Sequence, residues 1–82
     1  MDYAELIVSK ELRESMKPGH IMKMVFSEND IVNKTIYIRA VVDDNWIVYK
    51  YWAERKKCWV YIIEYIYLLE LLYRNGGLLI IE

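Results

Sequence analysis

Between Thr35 and Tyr61 the chain alternates in side-chain character residue by residue, interrupted at Asp43-Asp44-Asn45 and again at Glu54-Arg55-Lys56-Lys57. Alternation of period two marks a strand with two unlike faces, because successive side chains of a pleated strand project to opposite sides. Both interruptions carry hairpin chemistry, so the segment predicts three antiparallel strands. In the first run Ile36, Ile38, Ala40 and Val42 fall on one face and Thr35, Tyr37, Arg39 and Val41 on the other. In the second, Ile47, Tyr49 and Tyr51 alternate with Trp46, Val48, Lys50 and Trp52; in the third, Cys58, Val60 and Ile62 alternate with Lys57, Trp59 and Tyr61. The first set of each run is expected to line a core. The second leaves a face crowded with aromatic rings and cations.

Helices are expected on either side. Asp2 followed by Glu5 has the form of a capping box, and Ala4, Val8 and Leu12 recur at helical spacing beside Tyr3 and Ile7, which predicts a helix over 3–14 stopped by Lys17-Pro18-Gly19. His20 to Ser27 has the composition of a further strand. From about Ile63 the period changes: Ile66, Leu69 and Tyr73, with Leu68, Leu71 and Leu72, satisfy three- and four-residue spacing, and Glu70 and Arg74 form an i,i+4 pair. A helix over 64–74 ending at Asn75-Gly76 follows, and 77–82 resembles a short strand added to a sheet edge. The expected fold is α+β, one domain over 1–82: an antiparallel β-meander of three to four strands with an N-terminal and a C-terminal helix.

A chain of 82 residues buries roughly 60 to 65% of the surface its unfolded form exposes, enough for one modest core. Because hydrophobic residues make up 56%, apolar surface is expected to remain and to seek a partner or a second copy. The second helix is apolar nearly all round, so Ile66, Leu69, Leu72 and Tyr73 are the expected seam of a homodimer. The net charge of −1 excludes a globally basic nucleic-acid binder and a strongly acidic nucleic-acid mimic. Charge is nevertheless local: Lys34, Arg39, Lys50, Arg55, Lys56 and Lys57 outnumber Asp43, Asp44 and Glu54 between 34 and 57. The single cysteine, Cys58, excludes an internal disulfide framework and suits a reducing, cytoplasmic setting. No secretory signal is expected from the first residues, and the apolar stretch from Trp59 to Tyr73, broken by Glu64 and Glu70, falls short of a membrane span.

Tyr37, Arg39, Lys50, Trp52, Trp59 and Tyr61 are the candidate binding residues, since cross-strand neighbours lie about 5 Å apart and the predicted pleat gathers all six. Aromatic residues and Arg dominate protein interfaces. Rings beside cations also stack nucleobases and neutralise phosphates, which makes single-stranded nucleic acid the second expectation. The plainest alternative places Trp52 and Trp59 in a core beneath the N-terminal helix or in a purely structural homodimer. No catalytic, metal or cofactor site is expected. Asp43-Asp44 fits an ordinary turn, His20 lacks an aligned nucleophile or second acid, and Cys58 fits a small packing residue.

The succession Ile38-Arg39-Ala40-Val41-Val42-Asp43-Asp44, Val48-Tyr49-Lys50-Tyr51-Trp52, Arg55-Lys56-Lys57 and Trp59-Val60-Tyr61 resembles a pattern in short proteins encoded by bacteriophages and prophages. It covers about half the chain and holds no catalytic motif. The resemblance implies a mobile-element origin, in which many proteins of this size bind and disable a host machine, restriction and CRISPR components among them. A non-enzymatic inhibitor of a host protein or complex, acting in the host cytoplasm, is the function expected on that ground.

Overall fold

The computed structural model describes residues 7–27 and 31–81. In chain order its elements are α1 (Lys10–Ser15), β1 (Ile21–Met24), β2 (Lys34–Val42), β3 (Trp46–Ala53), β4 (Cys58–Tyr65), α2 (Ile66–Arg74) and β5 (Leu78–Ile80). The fold is α+β as expected. The strands form one antiparallel sheet in the order β4-β3-β2-β1-β5, so the short terminal strand adds to β1 and makes the sheet five-stranded.

The β2–β3 hairpin turns through Asp43 and Asp44, both left-handed with φ of 50° and 60°, and the Asn45 amide donates to the Val42 carbonyl at 3.2 Å. Two consecutive left-handed residues match the right-handed twist of the flanking strands, and Asp is among the few side chains that tolerate that region. Asn45 also holds the start of α2, whose Ile66 amide donates to the Asn45 carbonyl at 2.7 Å. The other end of α2 is closed by a Schellman motif: Gly77 N–H donates to Leu72 C=O at 2.7 Å and Gly76 N–H to Tyr73 C=O at 3.3 Å. Gly76 takes φ +79° there, the conformation that favours glycine.

The core lies on one side of the sheet. Met22, Met24, Ile36, Ile38, Ile47, Tyr49 and Leu78 from the strands meet Leu12, Met16, Ile66 and Leu69 from the helical side, all of them buried. Connecting one edge strand to the other, α2 crosses this face, and burial of its inward residues is worth roughly 1.5 to 3 kcal/mol per large aliphatic side chain.

Three expectations are corrected. First, the alternation in β2 does not run unbroken: Tyr37 and Ile38 pair with Lys50 and Tyr49, but Ala40, Val41 and Val42 pair with Val48, Ile47 and Trp46, leaving Arg39 as the extra residue of a β-bulge. A bulge shifts the register by one and exchanges the faces beyond it. Val41 therefore packs against the core, while Ala40 and Val42, expected inside, stand on the opposite face with Val42 exposed.

Second, among the described residues the N-terminal helix begins at Lys10; residues 7–9 are not helical. The expected capping box at Asp2 and Glu5 lies outside the described residues. What competes with helix at 7–9 is a tertiary anchor. Glu70, 1% exposed, accepts from the Ser9 amide at 2.7 Å and from Arg74 Nε at 2.7 Å, and Arg74 Nη2 donates to the Ile7 carbonyl at 2.6 Å. The i,i+4 pair read from the sequence thus serves to tie residues 7–9 to α2.

Third, the expected dimer seam is largely consumed by the fold. Ile66 and Leu69 are buried inside the chain's own core, and Leu72 and Tyr73 pack against its margin. A nine-residue helix laid over a sheet turns its i, i+3 stripe inward, so Ile66 and Leu69 have no surface left for a second copy, while Leu72 and Tyr73 remain partly exposed.

Candidate functional site on the open sheet face

No residue on the second face of the sheet is buried, among those described. Strand β4 contributes Trp59, Tyr61, Ile63 and Tyr65, β3 Trp46, Val48, Lys50 and Trp52, and β2 Thr35, Tyr37, Ala40 and Val42. Lys23 and Leu79 continue it toward the β5 edge. Both helices supply their buried residues to the other side.

The strand register fixes the arrangement. Tyr37, Lys50 and Tyr61 are successive partners in a row across β2, β3 and β4, and Trp52 faces Trp59 in the adjoining row. Trp59 is the hub: its ring lies 5.6 Å from Tyr37 at 86° and 5.4 Å from Trp52 at 74°, with Lys50 Nζ 4.2 Å above it. Edge-to-face ring pairs of this kind are worth about 0.5 to 1.5 kcal/mol each and an exposed cation over a ring about 0.5 to 1 kcal/mol, enough to hold the side chains in fixed poses. They nonetheless keep surface: Trp52 is 40% exposed, Trp59 41% and Tyr61 58%. The sequence-predicted Tyr37, Lys50, Trp52, Trp59 and Tyr61 are therefore brought together. Arg39 is exposed at the bulge, one residue out of register with that row.

Beside the cluster, Tyr37, Trp52 and Trp59 wall a shallow concavity of about 220 Å³ whose rim includes Lys34 and Glu54. A second aromatic group stands at the far end, where cross-strand partners Trp46 and Tyr65 stack at 5.0 Å and Tyr65 continues to Tyr67 at 5.0 Å. Ala40, Val48 and Ile63 form the row between the two groups, and Val42 flanks Trp46 in the row of the second. Trp46 and Val48 share the parity of Lys50 and Trp52, which was a signal for including them; Ile63 and Tyr65 were missed because β4 runs to residue 65 where the sequence suggests helix from about 64.

On the helix side a cleft of about 490 Å³ is lined by Leu68, Leu69, Leu71 and Leu72 with Tyr49 and Glu64. Burial pushes the Tyr49 phenol well above its ordinary value, and the Glu64 carboxylate and Tyr51 push it further, so it stays protonated at neutral pH. The leucines thus share the cleft with polar side chains, the Tyr49 phenol, the Ser27 hydroxyl and the Glu64 carboxylate among them. Among the described residues no group of three or more His, Cys, Asp and Glu is placed to hold a metal ion. Asp43 and Asp44 are exposed in their turn and Cys58 is an exposed thiol at the start of β4. No helix among the described residues is long and apolar enough to cross a membrane.

The chain matches no protein-family model, no curated protein and no solved structure.

Proposed function

We propose that the protein is a non-catalytic interaction module that occludes the surface of a protein partner with the open face of its sheet. The observation that carries this is the ring cluster of Tyr37, Trp52 and Trp59, held by perpendicular contacts yet two-fifths exposed at both tryptophans. Rigid aromatic surface is the material of binding hot spots, because it is desolvated on docking with little loss of side-chain freedom. Trp52, Trp59, Tyr37 and Tyr61 act as anchors, and Lys50, already seated over Trp59, orients the partner. The resemblance to phage-encoded proteins makes that partner a host protein machine, met in a reducing cytoplasm where Cys58 remains a thiol.

Single-stranded nucleic acid is the less favoured occupant. Between the two aromatic groups the face holds Ala40, Val48 and Ile63, which neither stack on bases nor meet phosphates, and its cations are few. The test uses the wild-type chain and a Trp52→Ala/Trp59→Ala double variant as baits in lysate of the native host. One protein retained in stoichiometric amount by the wild type, surviving raised salt and lost from the folded variant, is the expected result. A partner held equally by both baits overturns the assignment of the face, and binding to single-stranded homopolymers that collapses as salt rises favours nucleic acid.

A further inference from the structure

We infer that a second copy of this chain adds to the free edge of β4, antiparallel and two-fold related, joining two five-stranded sheets into one. Among the described residues β4 ends the sheet, and one side of its backbone has no neighbouring strand there. Edges are ordinarily blunted by shortness, an embedded Lys or Pro, or a bulge. The opposite edge, β5, is only three residues long. By contrast β4 is eight residues long and runs against β3 without a register shift. Its stretch from Cys58 to Ile63, Cys-Trp-Val-Tyr-Ile-Ile, contains no charge, proline or glycine. It is also incompletely covered: no residue of β4 is fully buried, and even its core-side Val60 and Ile62 keep some exposed surface.

Charge selects the occupant. The basic turn Arg55-Lys56-Lys57 precedes β4 and Glu64 lies near its end. Antiparallel self-pairing sets the basic end of each copy beside Glu64 of the other, whereas parallel pairing would set like beside like. The two-fold axis must stand perpendicular to the sheet and pass through a residue, because facing residues share a face and a one-residue slip would oppose rings to core side chains. An axis at Tyr61 places Val60 against Ile62, Trp59 against Ile63 and Cys58 against Glu64, with Lys56 and Lys57 within two further positions. Such an isologous joint leaves the open face uncovered and makes its aromatic rows continuous across both copies, so it stands or falls separately from partner docking.

The test is mass in solution as a function of concentration, with folding followed by circular dichroism. The wild type should be dimeric. Tyr61→Lys, an exposed position that sets two like charges on the axis, should be monomeric while still folded. Glu64→Lys alone and Lys56→Glu/Lys57→Glu alone should each weaken the dimer about tenfold, near 1.4 kcal/mol, and an equimolar mixture of the two should recover it as a heterodimer. A wild type that stays monomeric at every soluble concentration, a dimer indifferent to Tyr61→Lys, or a mixture of folded charge variants that fails to recover overturns the inference.

Discussion

Replacing Arg74 by Ala removes the cation from a carboxylate that the fold has taken out of water. Glu70 is 1% exposed and accepts, among the described residues, from the Ser9 amide and Arg74 Nε, each at 2.7 Å, while Arg74 also holds the Ile7 carbonyl at 2.6 Å. A hydrogen bond to a charged group contributes about 1.5 to 3 kcal/mol, and a neutral acceptor such as the Ile7 carbonyl adds about 1 kcal/mol. Because the Arg74 side chain is itself 49% exposed, solvent screens part of the pair, and the expected loss is about 2 to 3 kcal/mol, below the roughly 3 to 5 kcal/mol of a fully buried pair. A domain of this size is stable by about 4 to 12 kcal/mol, and each kcal/mol shifts its melting temperature by about 4 to 8 °C. Urea unfolding and a thermal scan should therefore show Arg74→Ala melting about 10 to 20 °C below wild type, with hydrogen exchange at the Ser9 amide accelerated beyond the global change. A melting temperature within about 3 °C of wild type would refute the role given to this anchor.

Two other perturbations probe the scaffold. Because the Tyr49 phenol is held above its ordinary value, the folded state keeps its proton where the unfolded chain loses it, from about pH 10 upward. Stability is thus full below that pH and should fall by about 1.4 kcal/mol per pH unit above it; Tyr49→Phe should flatten this slope in urea titrations at alkaline pH. At the hairpin, Asp44→Val forces a β-branched side chain to φ near 60° and should cost about 1 to 2 kcal/mol despite its exposure, while Asp44→Gly should leave stability nearly unchanged, since the backbone carbonyl that accepts from Arg13 Nη1 is retained.

Alternation was sufficient to place β2, β3 and β4 because each has one face that must be apolar and one that need not be. It failed where both faces are apolar. Ala40-Val41-Val42 tolerates either assignment, so the bulge at Arg39 leaves no trace in side-chain pattern, and Ile63 and Tyr65 suit strand and helix equally. Local signals also mislead where a distant group intervenes: nothing near Ile7 announces that Glu70 and Arg74, more than 60 residues away, will hold that backbone extended. The ring cluster was legible as a shared parity, but its openness was not. Whether α1 and α2 cover Tyr37, Trp52 and Trp59 or the opposite face depends on which side the aliphatic stripes of the strands take, and the buried Ile36, Ile38 and Ile47 decide it.

The central claim is that the aromatic sheet face, rather than the helix-side cleft, meets the partner. Hydroxyl-radical footprinting of the chain alone and in complex with the protein it captures tests this residue by residue. Protection at Tyr37, Trp52, Trp59 and Tyr61 with Leu68, Leu71 and Leu72 unchanged is the predicted result. Protection confined to those leucines, with both tryptophans as reactive as in the free chain, would contradict it.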